Sequence, residues 1–235
     1  DADTWAFQPG RDTYSGAALL DLSSLNEETA GEAGFVARSS DGASFVRGDG
    51  KPIRFWAVNT NVAHDGVPAL VEHARFLAKR GVNMVRFHGQ IPQAGKNGGP
   101  LVVINRDERS RLWQLVSAMK QEGIYVTFSP YYPHAVGKEA AKRWEVPKDS
   151  AGLAGLLYFD PILQSAYKRW LRQPLVPVNP YTGIALKDDP AFRLAASSAS
   201  GRTPLDRPHG LASQPPLSRF TAIMAGSANR SVRRA

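Results

Sequence analysis

Gly81-Val82-Asn83-Met84-Val85-Arg86-Phe87-His88-Gly89-Gln90 is a short β-rich run that ends in an arginine and a histidine. As a strand, its alternation puts Val82, Met84, Arg86 and His88 on one face and Asn83, Val85 and Phe87 on the other. Immediately upstream, Val67, Leu70, Val71, Ala74, Leu77 and Ala78 recur at helical spacing, and Gly81 supplies the stop. A helix, a glycine, a buried strand and a polar strand end make up one unit of a parallel α/β sheet. Two same-face polar groups at the C-terminal end of such a strand face a ligand more often than they serve as a satisfied sheet end. Arg86 and His88 are therefore candidate site residues.

The pattern repeats downstream. Residues 91–105 form a loop around Lys96-Asn97-Gly98-Gly99-Pro100. Asn105 or Asp107 then caps a helix over 108–122, with a stripe of Leu112, Leu115, Val116 and Met119 and with Gly123 as the stop. Residues 124–128 are a buried-type strand running into Tyr131, Tyr132 and His134, whose rings fit a site or ordinary loop packing equally. After an irregular stretch, Asp160 caps a helix through about Arg172 with Pro161 at its first position. Asn179-Pro180-Tyr181-Thr182-Gly183 is a turn, and Lys187-Asp188-Asp189-Pro190 should lead into another strand, which the following composition does not provide.

Upstream, residues 1–34 have no sustained period and form an extension. Asp41-Gly42 and Gly48-Asp49-Gly50 between β-type runs signal hairpins, so two short strands lead into a longer one over 53–59. Trp56 is assigned to the core, while Asn59 at the strand end fits a cleft or a cap equally.

Charge and composition narrow the function. The net charge of +8 is concentrated at one end, because residues 193–235 hold seven arginines and one acid. The 22 basic and 20 acidic side chains of residues 1–192 nearly cancel, so nucleic acid is not the expected partner. That same tail lacks Lys, Glu, Trp and Tyr and has little apolar periodicity, which marks it as disordered, through a shifted reading frame or another artefact. There is no cysteine, and His64, Asp65 and His73 are spaced too loosely for a zinc motif. No cofactor fingerprint, nucleophile elbow or membrane-spanning run occurs. No secretion signal is visible at Asp1, so any such signal was removed or lies outside the sequence.

Four ordered segments carry a resemblance. They are Pro52-Ile53-Arg54-Phe55-Trp56-Ala57-Val58-Asn59, then Leu77-Ala78-Lys79-Arg80 with the opening run through His88, then Gly123-Ile124-Tyr125-Val126-Thr127-Phe128, and last Asn179–Gly183 with the Lys-Asp-Asp-Pro segment. Together they resemble retaining glycoside hydrolases of the (β/α)8-barrel superfamily that contains family 5, of cellulase-like or mannanase-like type. The resemblance covers residues 35–192. It implies an α/β fold, an incomplete (β/α)8 TIM barrel of about three βα units, with a β-extension at 1–52, a barrel portion at 53–192 and a disordered tail at 193–235. It implies strands one, two and three at 53–59, 82–88 and 124–128, with Arg86 supporting the nucleophilic glutamate. His88, Asn59, Tyr131, Tyr132 and His134 would contact a polysaccharide or oligosaccharide substrate, without metal or cofactor.

In such enzymes strand four ends Asn-Glu, the acid/base, and strand seven ends in the nucleophile. Neither glutamate is found here. The one Asn-Glu, at Asn26-Glu27, precedes strand one. Five more βα units need roughly 155 residues, against 43 after Phe192. The expected function is thus a secreted or periplasmic glycoside hydrolase fragment of bacterial origin, inactive as this chain. The alternative is a non-catalytic carbohydrate-binding or interaction protein on a degenerate barrel.

Overall fold

A computed structural model describes Asp12, Tyr14, residues 20–60, 66–87, Val102, 104–130 and 158–194. The expected contacts at His88, Tyr131, Tyr132 and His134, and the tail beyond Leu194, lie outside these residues. The chain divides into two compact units interleaved in sequence, one of Asp1–Arg86, Arg111–Val126 and Asp189–Ala191, the other of Phe87–Ser110, Thr127–Asp188 and Phe192–Ala235.

The described elements begin with a 3-10 turn at Ser23–Leu25 and three two-residue strands, β1 (Ala37–Arg38), β2 (Phe45–Val46) and β3 (Pro52–Ile53). These pair in the order β1-β2-β3 as an antiparallel meander, with Arg38 opposite Phe45 and Phe45 opposite Ile53. A second sheet, in the order β4-β5-β6-β7, contains β4 (Ala57–Thr60), β5 (Met84–Phe87), β6 (Tyr125–Phe128) and β7 (Phe192–Leu194). Tyr125 N–H donates to Asn83 O and Ser129 N–H to Phe87 O. Advancing four residues on both chains between the two bonds is the signature of parallel strands.

The helices between these strands form for local reasons. In α1 (Val67–Ala78), Leu70, Ala74, Leu77 and Ala78 are buried, while Val67 of the expected stripe stays half exposed. Gly81, at φ 73°, takes the left-handed conformation that lets the chain leave the helix and enter β5. In α2 (Arg106–Gln121), the Asn105 carboxamide oxygen accepts from Asp107 N–H at 2.9 Å and Glu108 N–H at 3.2 Å, which decides the cap between the two candidates. Its predicted stripe is buried throughout, each such side chain contributing roughly 1.5–3 kcal/mol. In α3 (Pro161–Leu175), Asp160 Oδ1 accepts from Ile162 N–H and Leu163 N–H, and Leu163, Ala166, Trp170 and Leu171 are buried. The helix runs one turn past Arg172, with Pro174 inside it.

Three readings change. The run 53–59 is not one strand: Pro52–Ile53 pairs with β2, whereas Ala57–Thr60 belongs to the second sheet, so the chain changes sheets across Arg54-Phe55-Trp56. Trp56 is 67% exposed, not core, because it enters an edge strand with no further described strand beside it. A strand does follow Asp-Asp-Pro: Phe192–Leu194 form β7, so the sheet has four strands among the described residues and the first two residues of the expected tail belong to it. Phe192 supplies the apolar side chain, its ring tilted against Phe128, which in turn stacks on Phe87.

Candidate functional site

The C-terminal parts of parallel strands are where an α/β sheet presents ligand-binding groups. In β5 the alternation is clean: Val85 and Phe87 are buried, Met84 is half buried and Arg86 is exposed. In the neighbouring β4, Ala57 and Asn59 are exposed and Thr60 is buried. Asn59 and Arg86 are thus the polar side chains that these two strands turn to solvent, each next to last in its strand.

The buried face of β4 is tied down differently. Thr60 Oγ1 lies 3.1 Å from His73 Nε2, and the His73 ring stacks near Phe76. Burial lowers the His73 pKa from its ordinary 6.5, favouring the neutral ring. His73 is a structural partner of the strand. Among the described residues no group of three His, Cys, Asp or Glu could hold a metal ion, and no helix is long and apolar enough to cross a membrane.

None of β4, β5, β6 or β7 carries a carboxylate. Arg86 offers a permanent cation with several N–H donors, suited to a carboxylate or to sugar oxygens, and Asn59 adds one amide donor and one acceptor. These groups bind and orient; a general acid and a nucleophile are not among them.

Glu27 occupies a different place. Its side chain is buried, its Oε2 accepts the Tyr125 hydroxyl at 2.5 Å, and its Oε1 lies 3.6 Å from Arg47 Nη1. Tyr125 opens β6, so this carboxylate stands at the N-terminal end of a parallel strand, the end that stabilises rather than catalyses. The cluster was not singled out from sequence, although a tyrosine in the otherwise apolar 124–126 run was a signal that a polar partner would be needed.

No protein-family model matches the chain, and no curated protein matches it. Solved structures do. A glycoside hydrolase family 5 mannosidase from Rhizomucor miehei, in a mutant form with mannosyl-fructose, matches with a TM-score of 0.54 and 17% identity over 71% of this chain and 50% of that one. Another structure of that organism's family 5 mannosidase matches with a TM-score of 0.52 and 17% identity over 71% of this chain and 48% of that one. The likeness is one of fold. This chain spans about half the length of those enzymes, and its parallel sheet has four strands among the described residues. The resemblance read from the ordered segments is thus matched by an α/β, parallel-sheet architecture similar in fold to those mannosidases.

Proposed function

We propose that the chain is the N-terminal portion of a secreted (β/α)8 glycoside hydrolase that cleaves β-linked glycans of the mannan or cellulose type, and that it is inactive by itself. The observation that carries this reading is the fold likeness over 71% of the chain to half of a family 5 mannosidase, within which the second parallel strand presents Arg86 to solvent. The complete enzyme would act by nucleophilic attack on the anomeric carbon, a glycosyl-enzyme intermediate and hydrolysis, using two carboxyl groups about 5–5.5 Å apart. Arg86 would hold the nucleophilic carboxylate charged and oriented, and Asn59, His88, Tyr131, Tyr132 and His134 would line the sugar cleft. Strand four of such an enzyme ends Asn-Glu. Here β7 begins Phe192-Arg193-Leu194 and the chain continues Ala195-Ala196-Ser197, and no glutamate follows Glu145 anywhere in the sequence. The acid/base therefore has no candidate at its expected place.

Two measurements test the reading. Purified chain incubated with mannan and aryl β-glycosides should show no turnover; hydrolysis at an ordinary enzyme rate, on the order of 1 per second or faster, would overturn the missing-carboxylate claim. The DNA after the codon for Leu194, translated in all three frames, should contain an apolar stretch ending Asn-Glu. Its absence would remove the link to a longer hydrolase.

A further inference from the structure

The N-terminal extension makes its contacts in the same order as the strands it passes. Asp12 pairs with Lys79 and Arg80 just after α1, and Tyr14 donates to the Glu72 carbonyl. Leu22 N–H donates to Lys79 O at 3.0 Å, and its side chain lies against Gly81 at the entry to β5. Asn26 Nδ2 then reaches Val82 O at 2.9 Å and Glu122 O at 3.4 Å, joining the turn before β5 to the turn before β6. The Glu27 carbonyl lies so close to Gly123 that a Cβ there would fall 2.0 Å from it, and the Glu27 carboxylate takes the Tyr125 hydroxyl. Ala30 N–H donates to Lys120 O at 2.9 Å. Gly31 lies against Pro190 and Ala191 at the entry to β7, where a Cβ would come within 2.8 Å of the backbone.

We propose that residues 22–31 are a strap across the N-terminal ends of β5, β6 and β7, which holds the parallel strands in order and register without the closure that a complete barrel supplies. Apart from Ser23–Leu25 the strap has no regular structure, so its path is set by what it touches. Apart from the Glu27 carboxylate on the Tyr125 hydroxyl and the approach of Gly31 to the Pro190 ring, these contacts are to backbone groups or glycines of turns where a helix ends or a strand begins, the points that fix where each strand enters the sheet. A parallel pair cannot be closed by a tight hairpin and relies on long crossovers, whose closure costs entropy before any pairing is gained. Bonding three successive entries to one short segment shortens the effective loops between them.

Hydrogen exchange on the full chain tests the strap. The amides of Asn83, Tyr125 and Val126 donate to Trp56 O, Asn83 O and Ala191 O, so they report on three successive strand pairs. In the native chain all three should be protected. Asn26→Ala should lower protection at all three by roughly tenfold or more, whereas Lys51→Ala, at an exposed side chain of the meander, should leave them unchanged. Loss confined to Asn83, with Tyr125 and Val126 as protected as in the native chain, would overturn the proposal, as would native amides that exchange without protection. If Asn26→Ala does not fold, Leu22→Ala is read in the same way, and equal protection at all three amides in that variant counts against the strap.

Discussion

Asn83 serves Trp56 as a strand partner with both its backbone and its side chain: its carboxamide oxygen accepts Trp56 N–H at 2.8 Å, its own N–H donates to Trp56 O at 3.2 Å, and its Nδ2 donates to Arg54 O at 2.7 Å. The segment that changes sheets is thereby fastened to the entry of β5. Asn83→Ala removes the two side-chain bonds and should cost about 1–2 kcal/mol. Asn83→Asp keeps the acceptor but sets an oxygen against Arg54 O, and should cost at least as much. A urea midpoint equal to the native one for both variants would show that the backbone alone makes the connection.

Lys120 and Asp189 form the most enclosed ion pair among the described residues. Lys120 Nζ lies 2.7 Å from Asp189 Oδ1, the Asp189 side chain is fully buried, and the same oxygen accepts Ala191 N–H at 2.9 Å. Removing one partner leaves the other charge buried, so Lys120→Met should destabilise by about 3–5 kcal/mol. Asp189→Asn retains an acceptor for Ala191 and should be milder. Chemical denaturation gives both values, and a Lys120→Met cost below about 1 kcal/mol would mean that the carboxylate finds other solvation.

Tyr125→Phe deletes the one hydroxyl that donates to the buried Glu27 carboxylate while keeping the ring that packs edge-on against Phe55 at 5.5 Å. The expected loss is about 1–3 kcal/mol. Because the ring is retained, any loss reports the hydrogen bond. An unchanged melting temperature would assign the cluster to packing instead.

The pH dependence of stability should carry a His73 component. The folded-state pKa is lowered by burial, so the unfolded chain binds the proton more readily than the folded one. The contribution is complete above the ordinary value of 6.5 and is lost as pH falls from there through the folded-state value. Melting temperature should therefore drop as pH falls below the ordinary value of 6.5, and His73→Gln should flatten that slope. An identical slope in the variant would locate the dependence elsewhere.

The helices and buried strands were legible because their signals are local. Asn105 and Asp160 cap as their positions suggest, Gly81 and Gly123 end helices, and the parity of Arg86 follows from a period of two. What was not legible depends on distance. Nothing within residues 53–59 marks where the chain leaves one sheet for the other, since the break is set by the Asn83 bonds 27 to 29 residues away. Trp56 has the composition of a core residue and the position of an edge residue, and only strand order tells the two apart. The extension lacked periodicity because Asn26, Glu27 and Gly31 are placed by turns far along the chain. A three-residue strand of Phe-Arg-Leu opening into alanine and serine offers too little apolar pattern to stand out. Of the candidate site, Arg86 and Asn59 were legible as strand positions, whereas the role proposed for Arg86 depends on a carboxylate that the described strands do not carry.

The outer edge of β4 has a practical consequence. Among the described residues no strand pairs with that side of Ala57–Thr60, a segment with no charged side chain and no proline, and proline and lysine are the usual guards of such an edge. Amide and carbonyl groups that no described strand pairs are a template for a second chain. The isolated polypeptide should therefore aggregate with rising concentration before it unfolds, and its yield in expression will depend less on the packing of its interior than on how this one border is shielded.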